Sequence, residues 1–150
     1  MKVYRISKTE YAKDLGGTGA KLYGGRWNHI DTPCIYTSES RALAVLEYSV
    51  NINIEYIPKD LSLCVFEIDD KYLHEITPNE IPTNWNATPS PYSTKTMGTE
   101  LFKNNIGIIK APSIVIPEEY NFILNPSLIE KAFQLIEIKN FNYDLRIKNF

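Results

Sequence analysis

The run "CIYTSESRALAVLEYSV", Cys34 to Val50, passes from β-branched and aromatic residues into helical spacing. "CIYT" reads as a short strand. From "TSES" onward the pattern changes. Ser38 or Ser40 suits a helix N-cap, and Glu39 suits the first turn if Ser38 is the cap. Leu43, Leu46, Glu47 and Val50 follow at spacings of three and four, so they share one stripe of that helix. Glu47 is the anomaly in the stripe. A carboxylate there either sits at the edge of the core, paired with an arginine, or enters a pocket, because burying an unpartnered ion is costly. In a pocket its pKa and orientation can be tuned for catalysis.

Upstream, "LGGTGAKLYGGRWN" (Leu15–Asn28) holds five of the chain's seven glycines. Glycine adopts positive φ and lets a ligand approach the backbone. The run is not G-x-G-x-x-G, since Leu22 stands where the third glycine belongs, and it lacks the Walker lysine-serine/threonine pair. It reads either as a loop of tight turns or as backbone shaped around a ligand, with Gly24 and Gly25 next to Arg26. The Arg26 guanidinium offers paired donors to phosphate or carboxylate oxygens, or else binds a structural carboxylate. Trp27 reads as packed core or pocket wall. Arg5, inside the first strand, is either a solvent-facing edge residue or a second anion contact. Tyr36 precedes the helix that bears Glu47 and suits the same cavity. Ser113, in "KAPSIVIP", donates to a ligand or caps local backbone; it is not in a G-x-S-x-G elbow, and no acid–histidine relay accompanies it.

Outward from this region, "KVYRI" reads as a strand with Val3 and Arg5 on one face and Tyr4 and Ile6 on the other. "SKTEYAKDL" is a short helix or turn, and "LSLCVFEI" is a strand. Residues 73–98, rich in proline, asparagine and threonine, read as a long connection of the kind that carries function. "TMGTELFKNN" allows one or two helical turns. "IGIIKAPSIVIP" predicts two short strands joined near Pro112, "EYNFILNP" another, "SLIEKAFQLIEI" a turn and a strand, and "FNYDLRIKNF" a final strand. No repeat or linker divides residues 1–150, so a single domain is expected, dominated by strands with two or three helices.

The charge balance is 16 basic against 18 acidic residues, a net of −2, which gives no basis for direct nucleic-acid binding. Cys34 and Cys64 sit in apolar runs and read as buried free thiols. The two histidines and two cysteines are too scattered for a zinc site, and no metal is expected. "MKVYRISKTEY" has no signal-peptide pattern and no run approaches membrane-spanning length, so a cytoplasmic protein without membrane attachment is expected.

Taken in order, "YGGRWN", "IYTSESRALAVLE" and "KAPSIVIP" resemble the RES domain family, the toxin components of RES–Xre toxin–antitoxin systems. The similarity extends through "VYRI", "PTNW", "EYNFILNP" and "FNYDLR" and covers essentially the whole chain. It implies a small α/β (α+β) fold with short β-sheets and a few helices, related to ADP-ribosyltransferase toxins. It also implies NAD+ as substrate, cleaved at the nicotinamide–ribose bond, with water, phosphate or a protein side chain as acceptor. A cognate Xre-like antitoxin is the implied partner, and steric blocking of the pocket is the expected mode of its inhibition. By the resemblance, Glu47, Arg26 and Tyr36 are catalytic, and Arg5, Gly24, Gly25, Arg26, Tyr36 and Ser113 contact NAD+. The chain departs mildly from the family in "APS", where valine often precedes the proline, and in "HIDTP", where a glycine is usual. Two further readings stand beside NAD+ depletion. One is a protein ADP-ribosyltransferase, whose acceptor the long connection helps present. The other is a non-enzymatic binding module in which Arg26 and Glu47 merely pair.

Overall fold

The computed structural model describes residues 1–148. Seven strands form one mixed sheet: β1 (Lys2–Lys8), β2 (Ile35–Ser38), β3 (Leu61–Ile68), β4 (Leu73–Glu75), β5 (Ile108–Pro112), β6 (Tyr120–Leu124) and β7 (Phe133–Phe141). Their order is β4-β5-β6-β2-β1-β3-β7, antiparallel throughout except for the parallel β4–β5 pair. Three α-helices accompany them: α1 (Thr18–Tyr23), α2 (Arg41–Asn51) and α3 (Tyr92–Lys103). The fold is thus α+β, with one seven-stranded sheet in place of the several short ones expected.

Period-two alternation divides the core between the two faces of the sheet. Val3, Ile35, Cys64, Phe66 and Phe122 pack on one face. On the other, Ile6, Leu61 and Leu63 meet Ala44 of α2, while Ile109, Ala111 and Ile123 meet Phe102 of α3 and Trp27. The two central strands barely pair. β1 matches β3 at every position from Lys2 to Lys8 but matches β2 only at Tyr4↔Ser38. The sheet therefore parts along this seam.

The structure decides some sequence expectations and corrects others. Ser40, not Ser38, caps α2, accepting from the Leu43 N–H at 3.0 Å. Glu39 then lies before the helix and receives the Tyr120 N–H. Of the stripe through Leu43, Leu46, Glu47 and Val50 only Leu43 is fully buried, for Leu46 is 37% and Val50 59% exposed. Instead Ala44, Val45 and Tyr48 pack on the sheet. The helix is rotated because Ser49, polar by sequence, is satisfied when buried: its hydroxyl pairs with the Val45 carbonyl and the Tyr143 hydroxyl. The glycine run contains α1, which Gly17 caps from the left-handed region (φ 68°). The long connection shrinks to residues 76–91, bounded by β4 and α3. "SIVIP" forms no strand, because the Ser113 hydroxyl accepts from the Val115 and Ile116 N–H groups and so turns the chain. The final strand expected over residues 141–150 does not form among the described residues: β7 ends at Phe141, the first of them, Leu145–Ile147 make a 3-10 turn, and residues 149–150 lie outside the described residues.

Ser40→Ala removes the only side-chain cap of α2 and leaves the Leu43 N–H unpaired. The expected loss is about 1 kcal/mol of unfolding free energy by urea denaturation, largely restored in Ser40→Asp.

Candidate active site

A cleft of about 1360 Å3 is lined from both β1 and β2 where they part. Arg5, Gly24, Gly25, Arg26, Tyr36 and Glu47 all line it; Ser113 does not. The rotation of α2 is what delivers Glu47 to this space instead of the core.

The Glu47 carboxylate is fixed through one oxygen. Its Oε1 accepts from the Ser113 hydroxyl at 2.6 Å and from Asn121 Nδ2 at 2.7 Å. Among the described residues Oε2 accepts no hydrogen bond, and Glu47 forms no ion pair. This corrects the reading of Glu47 as a boundary residue paired to an arginine, and with it the Arg26–Glu47 pair of the binding-module reading. Hydrogen-bond donors hold the part-buried carboxylate directly, with no cation in contact with it. Ser113 is fully buried behind the wall and touches the carboxylate rather than the open cleft. In this structure Ser113 meets the cleft by way of Glu47.

Arg26 is held by backbone. Its Nη1 donates to the carbonyls of Trp85 and Ala87, both at 2.8 Å, so the structural carboxylate considered from sequence is absent from its described contacts. Burial lowers its pKa, while the nearby Glu47 and Tyr36 act to raise it. The remaining guanidinium nitrogens form no described protein hydrogen bond.

Tyr36 offers its ring, not its hydroxyl. That hydroxyl donates to Asn28 Oδ1 at 2.6 Å and accepts the Trp27 N–H at 2.9 Å. Burial drives the phenol well above its ordinary pKa, so it stays neutral. Asn28 is fully buried, its Nδ2 shared among the carbonyls of Ala20, His29 and Thr32. Two glycines are required here for different reasons. Gly24 has φ 72°, and a Cβ on Gly25 would stand 2.6 Å from the Tyr36 hydroxyl oxygen. Lys95 of α3 ties down the same turn by donating to the Gly25 carbonyl at 3.0 Å.

Arg5 lies on a central strand, which removes the solvent-facing edge reading. Its Nη2 donates to Ser7 Oγ at 3.1 Å. Burial lowers its pKa, and Cys64 and Asp14 partly counter that. Trp27 is core, 2% exposed. The thiols Cys34 and Cys64 are buried and free. Sequence reading missed Asn121, Ser38, Asn28 and Lys95. Asn121 carried a weak signal as the one amide in the largely apolar "YNFIL" strand; its pairing with Ser38 is set by the register. Among the described residues no cluster of three or more His, Cys, Asp or Glu side chains could hold a metal ion.

Residues 2–146 match the RES domain. The chain is 36% identical to Toxin Res of Yersinia enterocolitica, over 99% of this chain and 100% of that protein. It is 32% identical to the Prs ADP-ribosylating toxin of a Sphingobium species, over 94% of this chain and 91% of that protein. The fold matches a chain in the M. tuberculosis MbcT–MbcA toxin–antitoxin complex with a TM-score of 0.74 at 16% identity, covering 93% of this chain and 83% of the other.

Tyr36→Phe strands the Trp27 N–H and Asn28 Oδ1 together. It should cost about 1–3 kcal/mol in urea unfolding while leaving the ring in place. Burial pushes the Cys34 thiol up to about 12, from 9.0. Between those values the unfolded chain has lost a proton that the native state keeps, so this thiol makes stability fall as pH rises through that window. Iodoacetamide at pH 8.5 should therefore leave Cys34 unlabelled in native protein and alkylate it in urea, as read by mass spectrometry.

Proposed function

The chain belongs to the RES domain family, and on that premise we propose that it is a toxin that depletes NAD+ by cleaving the nicotinamide–ribose bond, with water or phosphate as acceptor. The observation that carries this reading is the Glu47 carboxylate, pinned through Oε1 with Oε2 unbonded, in one cleft with Arg26 and Tyr36. Arg26, with donors left over from its carbonyl contacts, and Arg5 suit the diphosphate. The Tyr36 ring packs against the nicotinamide plane. As the C1′–N bond breaks, its electron pair leaves with nicotinamide, which departs neutral, and positive charge grows on the ribose. A fixed anion beside that charge stabilises the transition state without having to reorganise. The acceptor oxygen then bonds C1′, and where the acceptor is water its surplus proton passes to solvent.

The Sphingobium relative, named as an ADP-ribosylating toxin, favours a second reading in which a protein side chain is the acceptor. An antitoxin that covers the cleft is the proposed partner, supported by the toxin–antitoxin complex that shares the fold. The proposed site of action is the cytoplasm, where NAD+ is available.

Purified chain given NAD+, with and without phosphate, should release nicotinamide, detected by chromatography. Adenine-labelled NAD+ added with cell extract separates the readings: label in small molecules supports depletion, and label on protein supports transfer. Glu47→Gln should lower turnover at least a hundredfold with NAD+ affinity little changed. No nicotinamide in any arm, or an active Glu47→Gln protein, overturns the proposal.

A further inference from the structure

The catalytic carboxylate sits on a helix, yet both groups that hold it come from the sheet side. Ser113 directly follows β5 and Asn121 lies on β6. Ser113 has a single proton, and its oxygen already receives the Val115 and Ile116 N–H groups, so that proton goes to Glu47. Asn121 is different, because its amide has two ends and only one of them suits an anion.

The proton placement around Asn121 is forced. An ionised carboxylate only accepts, so Asn121 presents Nδ2 to Glu47 at 2.7 Å. That turns Oδ1 toward Ser38, whose hydroxyl donates to it at 2.7 Å. Ser38 is buried and sits opposite Asn121 in the β2–β6 register, so rigid ladder geometry fixes both residues. Turned over, the amide would aim its oxygen at the Glu47 oxygen. We propose that Asn121 is a positioning residue, oriented by Ser38, that sets the Glu47 carboxylate for the reaction. The proposal rests on the NAD+-consuming reading above. The relay runs Ser38 hydroxyl to Asn121 carbonyl, then Asn121 amide to Glu47 Oε1. It leaves Oε2 for the substrate.

The test compares the wild-type chain with Asn121→Ala, Ser38→Ala and the double variant, by kcat and KM for nicotinamide release. Asn121→Ala should lower kcat about tenfold to a hundredfold with KM within about threefold. Ser38→Ala should cost less, about threefold, and should cost nothing further in the Asn121→Ala background, because it acts through that amide. Equal losses from Ser38→Ala in both backgrounds would mark a merely structural role and overturn the relay. So would an unchanged kcat in Asn121→Ala, or a loss confined to KM. Should Asn121→Ala fail to unfold cooperatively, the near-isosteric Asn121→Asp takes its place, with an equal or larger fall in kcat expected. The Asn121 side-chain amide resonances supply a readout that needs no turnover: they should move in Glu47→Gln. If wild-type protein releases no nicotinamide, the functional reading falls. The relay then stands if those resonances move and falls if they do not.

Discussion

One carboxylate oxygen, Glu47 Oε1, receives two short hydrogen bonds, and the architecture converges on making that possible. A part-buried anion needs partners, and here they are neutral donors rather than a cation. Supplying them ties four elements together. α2 brings the acid, the turn after β5 brings Ser113, β6 brings Asn121, and β2 brings the Ser38 hydroxyl behind it. A cation at hydrogen-bonding distance would quench the field that such an acid projects into the cleft. Arg26 is instead kept close enough to feel Glu47 without pairing with it.

The single pairing of β1 with β2 creates the space for this arrangement. Strands in full register would zip Arg5 and Tyr36 into a closed ladder. Parted, they let side chains from both edges face a common volume. The opposite outer pairings, β1 with β3 and β2 with β6, are continuous, so the opening does not loosen the rest of the sheet.

Much of this was legible in the residues. β1 and β3 are strongly patterned runs, and α2 carries a serine cap and helical spacing, so local chemistry named them. Arg26, Tyr36 and Glu47 stood out because charged or aromatic groups beside glycines or inside apolar stripes demand an explanation. What escaped was set by bonds between distant segments. Ser49 is buried through the Tyr143 hydroxyl, and that rotation of α2 is invisible to periodicity. Ser113 looked like the start of a strand until its hydroxyl took two backbone N–H groups. Asn121 means little until the register places it against Ser38 and the helix places Glu47 above it.

The anchorage of Arg26 has an evolutionary corollary. Its two acceptors are main-chain carbonyls of residues 85 and 87, atoms that every amino acid possesses. The identities of those side chains are thereby released from the duty of holding the guanidinium. The segment can diversify, for instance toward a new binding partner, at no cost to the placement of the guanidinium. An inserted or deleted residue, which shifts the carbonyls themselves, is the kind of change it cannot absorb.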